Sequence, residues 1–94
     1  MIILKKEIYG GYKLKEIPNT LEAMQAEVDG YIETVAAPGN CVIVCNEEGR
    51  IKGLPYNTTL ENIPFYGPLF ICGEKDDEFC DVPQVLKDMF GGVK

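Results

Sequence analysis

Residues 41–45 read Cys-Val-Ile-Val-Cys, an apolar run bounded by Pro38-Gly39-Asn40 and Asn46-Glu47-Glu48-Gly49. A short unbroken apolar run between two turn signals is a strand covered on both faces, or nearly so. Gly49 suits a left-handed turn position. On either side lie Tyr31-Ile32-Glu33-Thr34-Val35-Ala36, rich in strand formers, and Arg50-Ile51-Lys52-Gly53-Leu54. The spacing predicts an antiparallel meander of three strands over residues 31–54.

Upstream, an apolar segment runs from Ile2 to Tyr9, then Gly10-Gly11, then Tyr12 to Ile17. Gly-Gly between two strand-like segments signals a hairpin, because both residues tolerate positive φ. In the second strand Tyr12, Leu14 and Glu16 share one face, and Lys13, Lys15 and Ile17 the other. A helix follows over residues 20–29. Asn19 is the expected N-cap with Glu22 in the capping-box position, and Gly30 is the expected stop. Its apolar stripe is Leu21, Met24 and Val28, with Gln25 and Glu27 toward solvent. Downstream, residues 56–64 lack a period and read as a loop, with one helical turn near Leu60. Pro68 to Gly73 reads as another apolar strand and Glu74 to Asp81 as an exposed acidic segment. Val82 to Phe90 reads as a C-terminal helix with Asp81 as N-cap. The expected fold is one α+β domain over residues 1–94, in the order ββαβββ…βα. It has a mostly antiparallel sheet, helices on one face and a β-grasp-like opening.

The 94 residues carry nine Lys and Arg against fifteen Asp and Glu, a net charge of −6. That balance argues against direct nucleic-acid binding, which needs clustered cations. There is no His, so the commonest general base and metal ligand is missing. No apolar run is long enough to span a bilayer and the N-terminus lacks a signal-peptide pattern, so a cytoplasmic location is expected. Cys41 and Cys45 would stand roughly 13 Å apart along one strand, too far for a disulfide or a shared metal. Neither they nor Cys72 and Cys80 form a Cys-x-x-Cys pair, the tighter spacing a zinc site favours. All four read as buried or half-buried free thiols.

Four segments have a familiar order and spacing: Ile17-Pro18-Asn19-Thr20-Leu21-Glu22-Ala23-Met24-Gln25, Gly30-Tyr31-Ile32-Glu33, Cys45-Asn46-Glu47-Glu48-Gly49 and Gly53-Leu54-Pro55-Tyr56-Asn57. Over residues 1–80 the chain resembles the domain-of-unknown-function family numbered 3846. The resemblance implies a small accessory protein of a Gram-positive bacterium, its phages or another mobile element, acting in the bacterial host cell, with counter-defence or regulation as its setting. It supplies no catalytic residue.

The residues themselves argue against an enzyme. No thiol has a histidine partner, and no Gly-rich phosphate loop is present. The first binding reading is capture of a small anionic, nucleotide-type ligand. Arg50, the single arginine, and Lys52 supply cations, Tyr56 a ring for stacking, Asn57 a hydrogen-bonding edge, and Tyr31 lies close in the meander. A domain this small often builds such a pocket between subunits, so a homo-oligomer is expected. The alternative is a protein inhibitor or adaptor that meets a basic host-protein surface through Glu74, Asp76, Asp77, Glu78 and Asp81. A third reading is a regulatory or structural domain. No cofactor and no metal is expected. Phe65, Tyr66 and Phe79 flank these regions, and two of the three are expected in the core.

Overall fold

The computed structural model describes residues 1–91. Eight strands and two helices follow in order: β1 (Ile2–Lys6), β2 (Tyr12–Glu16), α1 (Leu21–Val28), β3 (Ile32–Ala37), β4 (Cys41–Asn46), β5 (Tyr56–Leu60), β6 (Ile63–Tyr66), β7 (Leu69–Lys75), β8 (Glu78–Cys80) and α2 (Gln84–Phe90). The main sheet has the order β2-β1-β7-β4-β3, with β8 pairing the far end of β7. Every pairing is antiparallel. The α+β class and its mostly antiparallel sheet are therefore as expected. The ββα opening follows the β-grasp order, but β7 enters the centre antiparallel to β1, where a β-grasp joins its first and last strands in parallel.

The residues 41–45 run forms β4 and is covered on both faces. Val42 and Val44 join Ile3, Phe70 and Cys72 beneath Met24 and Val28 of α1. Ile43 and Cys45 join Leu69 and Phe65 on the opposite face. The helices accordingly lie on opposite faces rather than together. Leu86 of α2 stands with Ile43 and Ile71, and Phe90 packs on Tyr12 with ring centroids 5.4 Å apart.

Several expectations change in detail. Residues 50–54 form consecutive turns instead of a third meander strand, closed by Lys52 N donating to Glu48 O and Leu54 N to Gly49 O. The aperiodic stretch 56–64 instead forms most of the β5–β6 hairpin, turned by Glu61 and Asn62, both at positive φ as a type I′ turn requires. Residues 74–80 likewise form a hairpin through Asp76 and Asp77, also at positive φ. The first hairpin closes through residues 7–11, with β1 ending at Lys6, so its two glycines are not a two-residue turn. Thr20, not Asn19, caps α1 by accepting from Ala23 N. Asn19 instead donates to Phe79 O. Asp29, not Gly30, takes the left-handed stop. Pro83, not Asp81, begins α2; Asp81 accepts from Ile2 N and Lys87 Nζ.

Glu27 departs most from expectation. It turns inward rather than to solvent and meets Lys5 Nζ at 2.9 Å and Lys15 Nζ at 2.7 Å. Lys5 lies on the α1 face of β1, is itself buried and also donates to Glu27 O. Burial pushes the Glu27 carboxyl up, yet hydrogen bonds and charge from the two lysines outweigh it and hold it below its ordinary value. Asp81 is also held low, first by the Ile2 amide and then by Lys87. Both groups lend stability above the ordinary carboxylate range, and that stability is lost as pH falls through their folded values. Removing one partner of a buried pair strands the other charge, so Glu27→Ala should cost about 3 kcal/mol at neutral pH. In urea titrations its deficit against the parent should shrink as the pH falls below the carboxylate range. A deficit unchanged at low pH would show that packing, not charge, carries the loss.

Candidate functional site

Two buried asparagines anchor the segment after β4, Asn46 at its turns and Asn57 at β5. Asn46 donates to Val28 O at 2.9 Å and Asp29 O at 3.2 Å, and its Oδ1 accepts from Glu48 N at 2.8 Å. One amide thus joins the end of α1 to the start of the 47–54 turns. Asn57, on β5, donates to Lys6 O and Gly67 O and accepts from Lys6 Nζ at 3.0 Å. Gly49 is required by proximity: a Cβ there would lie 2.2 Å from Tyr66 O. Its φ is not positive, so the expected left-handed role is not the reason for the glycine. These contacts bring the turns against β6.

The result is a cleft of about 220 Å³ walled by Glu33 and Val35 of β3, Glu47 and Arg50 of the turns, and Pro64 and Tyr66 of β6. The Arg50 guanidinium stands over the Tyr66 ring, 5.7 Å from its centroid. Tyr56 meets the same ring edge-on at 5.8 Å, and its hydroxyl hydrogen-bonds Thr59 Oγ1. Among the described residues Arg50 has no ion pair and no side-chain hydrogen bond. An arginine over an aromatic face keeps its fork of N–H donors free at the edge.

Of the residues expected at the site, Arg50 and Tyr56 come together, joined by Tyr66, whose part the sequence reading did not assign. Lys52 points to Glu48 at 3.2 Å and not to Arg50, because a turn lacks the strand alternation that would have aligned them. Asn57 is buried and fully engaged by the main chain, so it is structural. Tyr31 is well exposed, and its carbonyl accepts from Glu47 N beside the cleft. Phe65 is core, Phe79 packs against the α1-side core, and Tyr66 is half-exposed. In the acidic segment Glu74, Asp76, Asp77 and Glu78 are exposed, whereas Asp81 is engaged internally as described.

The thiols are all free, with Cys45 and Cys72 buried and Cys41 and Cys80 half-buried. Burial pushes Cys45 up to about 11 and Cys72 up to about 12, which leaves them protonated near neutrality. Among the described residues no group of Cys, Asp and Glu could hold a metal ion, and no helix is long and apolar enough to cross a membrane.

Two outcomes follow. Asn57→Ala should cost about 2 kcal/mol in chemical denaturation, since it leaves buried carbonyls of Lys6 and Gly67 unpaired, whereas Lys52→Ala should change stability little. Alkylation of the native protein at mildly alkaline pH should label Cys41 and Cys80 and spare Cys45 and Cys72, with all four labelled after denaturation. Mass mapping of the modified peptides reads this directly.

No curated protein and no solved structure matches this chain. The model of the family described as Domain of unknown function (DUF3846) matches residues 2–91. Nearly the whole chain, including the cleft and both helices, lies within that match, and the protein belongs to this family.

Proposed function

We propose that the protein is a non-catalytic binding protein that holds a small anionic, nucleotide-type ligand at the Arg50 cleft. The unpaired guanidinium over Tyr66 carries this reading. Its free N–H fork suits a phosphate bidentately, and the Tyr66 ring, with Tyr56 edge-on against it, offers an aromatic flank for a base. Glu33 and Glu47 line the same cleft and supply acceptors for the N–H and O–H groups of a base or sugar. The cleft thus offers a cation and carboxylates together, which fits a ligand that is anionic at one end and a donor at the other. At about 220 Å³ it is smaller than a typical ligand pocket of about 300 Å³ or more, so the ligand would be covered only in part. In the setting implied by the resemblance, a phage or mobile element in bacterial cytoplasm, sequestering such a host signal would be a counter-defence role.

A second reading rests on the β7–β8 hairpin. Glu74, Asp76, Asp77 and Glu78 are exposed on a two-stranded tip, an arrangement that suits a basic partner surface. One set of variants separates the two readings. Thermal melting with mono-, di- and cyclic nucleotides should show stabilisation of about 2.7 kcal/mol at a hundred times the dissociation constant. Arg50→Ala and Tyr66→Leu should abolish that shift with the unliganded melting temperature near the parent's, while Asp76→Lys with Glu78→Lys retains it. A flat response across the panel overturns the ligand reading. Host-protein capture lost on the double charge reversal and kept in Arg50→Ala would establish the second.

A further inference from the structure

We infer that β3 pairs with the β3 of a second copy, so that two sheets join edge to edge about a two-fold axis. The strand is the outer edge of the main sheet. The carbonyl of Tyr31 accepts from Glu47 N on the β4 side. Main-chain groups of an antiparallel strand alternate in direction, so Glu33, Val35 and Ala37 also bond β4, and Ile32, Thr34 and Ala36 aim theirs outward. An open edge of this kind is a template for another strand, and proteins that avoid such pairing place charges along it. The opposite edge follows that rule: β2 reads Tyr-Lys-Leu-Lys-Glu. By contrast β3 reads Ile-Glu-Thr-Val-Ala-Ala, with a single charge, and Thr34 and Ala36 are exposed.

The occupant is a second copy because the strand is complementary to itself. With the axis at Thr34, the outward groups of Thr34 meet those of its counterpart, and Ile32 meets the second copy's Ala36. On the cleft face Glu33 comes opposite Val35, so the two Glu33 carboxylates stand on a diagonal about 7–8 Å apart and not directly opposite. Tyr31, which is 68% exposed, comes opposite Ala37 and gains a cover. Large residues meet small ones, and threonine meets threonine. A C2 contact lays one strand on itself, and this register does so without setting two bulky residues or two carboxylates directly opposite. The joined sheet places the second copy's β3 beside the wall that Glu33 and Val35 contribute to the cleft. Pairing itself requires no ligand, so its test stands apart from the nucleotide reading.

Light scattering on the eluting full chain, without nucleotide and at tens of micromolar, tests the inference. The parent should elute at twice its chain mass of 10.5 kDa. Thr34→Lys places two ammonium groups face to face across the axis and should elute at the single-chain mass. Ala36→Pro removes only an outward N–H, a position where an edge strand accepts proline, and should do the same. Circular dichroism should report the parent's fold for Thr34→Lys, whose side chain replaces an exposed one. A monomeric parent overturns the inference, and so does a dimer that persists in both variants.

Discussion

Everything in this fold answers to the position of β7. It is bonded along one edge to β1 and along the other to β4, so its side chains leave the sheet on two faces that must both be kept from water. Phe70 and Cys72 project toward α1, and Leu69 and Ile71 toward the β5–β6 hairpin and α2. An eight-residue amphipathic helix cannot cover both faces. The chain therefore supplies α1 from its first half as one cover, and the β5–β6 hairpin and α2 from the segment after β4 as the other. Each fully buried Leu or Phe side chain is worth about 1.5–3 kcal/mol relative to exposure. The two-sided burial of this one strand thus outweighs any single surface pair in the molecule.

Covering a sheet with a hairpin creates a problem that a helix does not. A two-stranded ribbon is marginal alone, and its register and distance from the sheet need anchoring. Asn57 and Asn46 meet that need with side-chain amides that bond main-chain groups of elements distant in sequence. Buried polar groups are costly unless satisfied and specific once they are. Among the described residues none of the buried side-chain polar atoms lacks a partner. Arg50 is aimed by this scaffolding and by the Tyr66 ring, not by an ion pair or side-chain hydrogen bond of its own: the turns that carry it are held by Asn46 and by the approach of Gly49 to Tyr66.

The parts legible in sequence are those with a strong local period. The apolar runs at residues 41–45 and 68–73, the alternation of Tyr12 and Leu14 against Lys13 and Lys15, and Met24 and Val28 of the helix stripe lie where read, whereas Leu21, read with that stripe, is exposed. The failures share a cause. Asn57-Thr58-Thr59 looks like a loop because Asn57 spends its amide on tertiary hydrogen bonds and the register shifts between Tyr56 and Thr58. Glu61-Asn62 and Asp76-Asp77 hide hairpins because neither is the Asn-Gly, Asp-Gly or Gly-Gly pair that marks a two-residue turn at positive φ. Glu27 looks solvent-facing because its partners, Lys5 and Lys15, come from another part of the chain. Of the candidate site, Arg50 and Tyr56 could be seen as residue types that bind anions and rings. The contact through Tyr66 could not, since it needs the turn of 50–54 folded back on β6.

The charge pattern gives that lone guanidinium its meaning. Among the described residues most of the cations are committed within the chain: Lys5 and Lys15 to Glu27, Lys6 to Asn57, Lys52 to Glu48 and Lys87 to Asp81. A chain of net charge −6 therefore meets an anion with a repulsive field at long range. At physiological salt that field fades within about 8 Å, so it slows approach more than it weakens contact. On the proposed reading, an anion that reached Arg50 would be held by short-range hydrogen bonds at one point, with carboxylates close by to penalise any group that cannot donate to them. Long polyanions, which need a row of cations, would be disfavoured on both counts. The proposed reading therefore favours a compact ligand with one anionic group and several donors.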